Sequence, residues 1–275
     1  MKLIGRFTTW AQKRRDNLVM AFIAVNYLLM SLDCTLVHWS AGFDHLGMYL
    51  AAGWPLLAAL PFIFFTFKPM KKTGRGVAIG ISLASVAVGI AGLAWHLLGQ
   101  FFVSPSLTSL IYSAPILAPL GLTLLAIMTL AIIYPPPEGL TRRLIGFMAF
   151  WMLGLMLLSL QDHAQNNFYE WGEWIPIVVG VFAMVVFGLY ALFYKKMKNG
   201  NGLILTTTLA LFITAAIGTV MHTIVFVAEG PLTLLQRLSQ AAPPLAPTLF
   251  GDAAVFVLIA LLYKNNDKEK PAIEA

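Results

Sequence analysis

The 275 residues are 59% hydrophobic and only 11% charged. Soluble domains are about 45–50% apolar and about 25% charged, so this composition excludes a water-soluble globule. Cys34 is the single cysteine, which excludes an intramolecular disulfide, Cys-Cys zinc motifs and c-type haem attachment.

Residues 1–15 are basic and partly amphipathic, with Leu3, Ile4, Phe7 and Trp10 on the apolar side. No small-residue cleavage site follows the first apolar stretch, so the segment reads as a cytoplasmic cap rather than a signal peptide. Eight apolar segments are then expected to span, at 17–37, 47–67, 76–98, 106–134, 142–162, 175–194, 203–227 and 247–263. Each approaches the roughly 20 residues that cross about 30 Å of hydrocarbon. Pro176 falls in the first turn of the sixth span, where a missing N–H costs nothing.

The cations set the expected orientation. Lys2, Arg6, Lys13, Arg14 and Arg15 precede the first span; Lys68, Lys71, Lys72 and Arg75 follow the second. Arg142 and Arg143 follow the fourth, Lys195, Lys196 and Lys198 the sixth, and Lys264, Lys268 and Lys270 the eighth. Of 18 Lys and Arg, only Arg237 falls on the other side. Short loops with this bias put both termini in the cytoplasm of a cell inner (plasma) membrane protein. The net charge of +6 is therefore topological, and nucleic acid is not an expected partner; membrane lipid and other membrane-complex subunits are.

The opposite, periplasmic or outer face gathers Asp33, His38, Asp44, His45, His96, Asp162, His163, Glu170, Glu173, His222 and Glu229. Trp39, Tyr49, Trp95, Tyr169, Trp171 and Trp174 lie among them, part of which is the interfacial aromatic belt.

The chain resembles itself at an offset of about 125–128 residues. His38, Phe43, His45, Gly47 and Tyr49 lie over His163, Phe168, Glu170, Gly172 and Trp174. Gly92 and His96 lie over Gly218 and His222, Pro105 over Pro231, and Ala114 to Pro119 over Ala242 to Pro247. The expected fold is all-α integral membrane, with eight transmembrane helices as two parallel four-helix repeats, 1–137 and 138–275. An even number of spans per repeat gives parallel copies about an axis along the membrane normal. Pro119 and Pro247 remove helix hydrogen bonds and should break the stretch before each fourth span.

The duplication pairs His38 with His163 and His96 with His222, and leaves His45 opposite Glu170. Single histidines at a membrane boundary commonly bond a backbone carbonyl, but two corresponding pairs call for a shared explanation. A transition-metal site is the leading expectation, since imidazole and carboxylate suit copper, zinc or iron. Its ligands would come from His38, Asp44, His45, His96, Asp162, His163, Glu170 and His222, as one site on the axis or one per half. Asp33 and Asp162 would orient imidazoles, and Met48 and Met221 would add soft ligands. The alternatives are a b-type haem electron-transfer subunit, with each histidine pair holding one haem, and a transporter or non-catalytic complex subunit binding lipid or a small solute. An enzyme using Asp162, Glu170 and Glu173 competes with a solvated acidic loop, and no P-loop, Rossmann or G-x-S-x-G pattern occurs.

Asp252 lies one to two turns into the eighth span, and its counterpart near Leu124 is apolar. It relays a proton, gates a pathway, or accepts hydrogen bonds from Thr or backbone groups freed by Pro247.

Phe43-Asp44-His45-Leu46-Gly47-Met48 followed by Trp54-Pro55-Leu56-Leu57 resembles the second-span signature of the CtaG-type cytochrome oxidase assembly proteins. Asp162-His163-Ala164-Gln165 ahead of Trp174-Ile175-Pro176 is similar to a second, acidic motif of that family. The resemblance covers about thirty residues, with a different histidine spacing. It implies copper as the metal and respiratory oxidase assembly as the setting.

Overall fold

The computed structural model describes residues 10–99, 101–113, 115–134, 139–194, 196–197, 200–228, 230, 233, 236–237 and 245–263. The apolar runs form helices α1 (Arg15–Ser40), α2 (Leu46–Phe67), α3 (Lys72–Gly99), α4 (Leu107–Tyr112), α5 (Leu120–Ile133), α6 (Leu140–Gln165), α7 (Ile175–Phe193), α8 (Gly200–Ala228) and α9 (Thr248–Leu262). No strand occurs among the described residues. In lipid the backbone satisfies its own polar groups, and helices do this within one segment.

Among the described residues six helices, α1, α2, α3, α6, α7 and α8, are long and apolar enough to cross a membrane. Helices α5 and α9 are apolar but shorter, 14 and 15 residues, or about 21–23 Å at the α-helical rise. Each begins immediately after a proline in its N-cap position, Pro119 or Pro247. The expected fourth span at 106–134 is thus discontinuous: α4 ends at Tyr112, a turn runs through 116–119, and only α5 continues. Pro115 and Pro119 account for the break, since neither can donate to a continuing helix. Most of the corresponding stretch before Pro247 lies outside the described residues.

Within the first half α1 packs on α2, α2 on α3 and α3 on α5; within the second, α6 packs on α7, α7 on α8 and α8 on α9. The halves meet where α1 lies on α9, and where α6 lies on α4 and α5. Tyr27, Phe62, Met148, Met152, Phe187, Tyr190 and Phe256 fill the interior. Leu56, Leu57, Leu60 and Phe64 stay exposed on α2, as a lipid-facing flank requires.

Corresponding positions adopt the same local geometry. At the end of α1 the Phe43 N–H donates to His38 O at 3.1 Å, and at the end of α6 Phe168 N–H donates to His163 O at 3.2 Å. Both turns use left-handed backbone, at Gly42 and Phe43 in one and Asn167 and Phe168 in the other. A Cβ placed on Gly92 would stand 2.9 Å from Pro119 Cβ, and one on Gly218 would stand 2.6 Å from Pro247 Cβ. Glycine therefore lets α3 approach Pro119 at the start of α5, and α8 approach Pro247 at the start of α9.

Candidate functional site

The helix ends bring the expected site residues to one end of the bundle. Gln161 of α6 donates to Leu110 O at 2.9 Å and Ser113 O at 3.2 Å, so the far ends of the two halves are tied at this level. The histidines then fall into two groups.

In the first half His38 sits in the last turn of α1 and His96 in that of α3. His45 occupies the N-cap position of α2 and stacks on Trp95 at 5.2 Å and 11°. Its Nε2 stands 3.9 Å from Asp44 Oδ1. His96 Nδ1 lies 3.1 Å from Pro115 O. A carbonyl only accepts, so Nδ1 carries the proton and Nε2 keeps its lone pair. His38, His45 and His96 are near enough for their charges to act on one another.

In the second half His163 ends α6, and its ring lies 6.2 Å from that of His222 on α8, at 84°. His163 Nδ1 stands 3.9 Å from Glu173 Oε2, with the two side chains 13% and 16% exposed. The 3-10 turn Trp171–Trp174 carries Glu173 into place, and Trp174 stacks on Phe168 at 4.1 Å. Glu173 Oε2 is buried and has no hydrogen-bond partner. Asp162 also bears on His163, whereas Glu170 is exposed and holds the turn through its backbone carbonyl.

The structure thus groups His38, Asp44, His45 and His96 in one half, and Asp162, His163 and His222 in the other. Glu173 joins the second group in the place the alignment gives to Glu170. Among the described residues, no group of three or more His, Cys, Asp and Glu side chains is arranged to hold a metal ion. The two histidine pairs interact within their own halves.

Arg237, the exception in the charge pattern, donates to Phe226 O, Val227 O and Gly230 O at 2.9–3.2 Å. It caps the C-terminal carbonyls of α8, the negative end of the helix dipole. Asp252 accepts at Oδ1 from Asn26 Nδ2 at 3.1 Å. The Thr248 hydroxyl donates to Leu245 O, so the amide of Asn26 is the partner found for Asp252.

Fold and helix lengths define an all-α, multi-pass membrane protein. No family model, no curated protein and no solved structure matches the chain, so the likeness to the oxidase assembly proteins stays confined to the two short motifs.

Proposed function

We propose that the chain is an eight-span inner-membrane protein of two parallel four-helix repeats, with both termini cytoplasmic, that handles a transition metal at its outer face. Copper is the first candidate, on the strength of the two short motifs, and it is cargo rather than a resident cofactor. Paired geometry at His38/His163, Phe43/Phe168 and Gly92/Gly218 supports the repeat. The confinement of all cations but Arg237 to one set of loops, and the capping role of Arg237, support the orientation.

The carrying observation is the His163, His222 and Glu173 arrangement. Two imidazoles bonding one ion at about 2.0–2.1 Å keep their ring centres roughly 5–6.5 Å apart, depending on the angle at the metal. The 6.2 Å between His163 and His222 falls in that range. Glu173 beside His163 Nδ1 fits the carboxylate that orients a metal-binding imidazole: its Oε2 is buried, makes no hydrogen bond and lies 3.9 Å from Nδ1. Rotation of these side chains would complete the ligand set.

The same ring separation favours one second reading, a bis-histidine b-type haem between α6 and α8. Metal analysis and a visible spectrum of the detergent-purified protein separate the two. Bound copper without a Soret band, lost in His163→Ala/His222→Ala, supports the metal reading; a Soret band overturns it. Absence of both, with the double variant fully functional, overturns both in favour of transport or a passive subunit role.

A further inference from the structure

We infer that Asp252, held by Asn26, is an intramembrane binding site for a small monovalent cation, a proton or sodium, at the seam between α1 and α9. The seam is an antiparallel pair with a regular register. Arg15 lies over the Tyr263 ring at 4.3 Å, Phe22 meets Phe256 at 5.6 Å, and Asn26 meets Asp252. Asn26 is roughly 16 Å along α1 from Arg15, which sets the pair well inside the apolar layer.

Asn26 is buried, and its amide is fully committed, donating to Phe22 O and to Asp252 Oδ1. Asp252 Oδ2 is buried and has no partner. An uncompensated carboxylate at such a depth is expensive and calls for a positive counterpart. Among the described residues none is supplied. Helix α1 carries Arg15, Asp16, Tyr27, Asp33, Cys34 and His38; α6 carries Arg142, Arg143, Asp162 and His163; α8 carries His222. Among the described residues, only the Asn26 amide bears on Asp252. On the α8 side its neighbour Gly251 faces Ala215 and Phe212, which are apolar. One oxygen fixed by an amide and one left bare is a site for a unit positive charge. Because α1 and α9 belong to opposite halves, the occupant also sets how firmly the halves close.

The test uses the full chain in lipid nanodiscs. In one arm sodium replaces N-methylglucamine at fixed pH and ionic strength while the thermal midpoint is followed. In the other, infrared difference spectra are recorded across pH at fixed sodium. With sodium as occupant, the wild-type midpoint rises with sodium concentration and that of Asp252→Asn stays flat. With a proton as occupant, a carboxylic C=O band titrates in the wild type, vanishes in Asp252→Asn and shifts in Asn26→Ala. Should Asp252→Asn fail to fold, Asn26→Ala carries the comparison through a shifted band or a shallower sodium response. A wild-type protein with neither a sodium-dependent midpoint nor a carboxyl band that Asn26→Ala moves overturns the inference.

Discussion

Glu173 shows what a single residue can hide from a sequence. It follows His163 by ten positions in a run of acidic and aromatic residues, and nothing local separates it from the exposed Glu170. Only the 3-10 turn decides which carboxylate reaches the imidazole. Glu173→Gln is expected to weaken metal binding by about 10–100-fold, as loss of an orienting carboxylate does, while Glu170→Gln leaves it unchanged; titration of the purified variants with copper checks both. Asn26 was equally hidden, because its partner Asp252 is 226 positions away. A second polar constellation is peculiar to the first half. Ser85 Oγ meets Tyr27 OH at 3.0 Å and takes the Trp54 N–H at 2.9 Å. The corresponding second-half positions hold Met152, Val179 and Leu211, two of them fully buried. Ser85→Ala removes the partner of the buried Tyr27 hydroxyl and of the part-buried Trp54 N–H and should cost about 1–2 kcal/mol, read as a lower unfolding midpoint.

At the scale of elements, most helices were legible because length and apolarity are what lipid demands of a span. Pro119 announced the break before α5, and Pro247 stands at the start of α9. The close crossing of α3 and α5 was not legible, because it depends on which helix carries a side chain at the contact. A Cβ on Gly89 would strike Thr123 Oγ1 and stand 2.8 Å from Pro119 O. In the second half the positions are filled the other way, with Ala215 on α8 facing Gly251 on α9 at 3.2 Å. Gly89→Ala is therefore expected to destabilise by about 1–3 kcal/mol through overpacking. Adding Thr123→Gly, which copies the second-half arrangement, removes the side-chain clash but not the 2.8 Å approach to Pro119 O, so it should recover only part of the loss; Gly53→Ala, with open space around it, is the control. Thermal unfolding of the wild type, Gly89→Ala, Thr123→Gly and the double variant in one detergent gives the coupling.

For the whole molecule, the histidine pairs were legible as corresponding positions, but the choice between one site on the axis and one per half was not. The offset orders residues along the chain and says nothing about where the axis between the copies runs. Topology is tested independently of any ligand. A reporter fused after Lys198 should be active only in its cytoplasmic form; activity of an outside-only reporter there would reverse the orientation and move the histidine groups to the inner side.

The guanidinium of Arg15 resting on the ring of Tyr263 brings the outer limits of the helical bundle side by side. If the two halves are copies, order along the chain is then a convention rather than a structural necessity. A circular permutant that opens the connection between Tyr134 and Gly139 and joins the segment after Tyr263 to the segment before Arg15 with a flexible linker would be synthesised second half first. It is expected to insert with the same helix directions and to retain the Asn26 to Asp252 bond, now formed between helices close in sequence. Cross-linking of cysteines placed at those two positions, compared between permutant and parent, reads this directly.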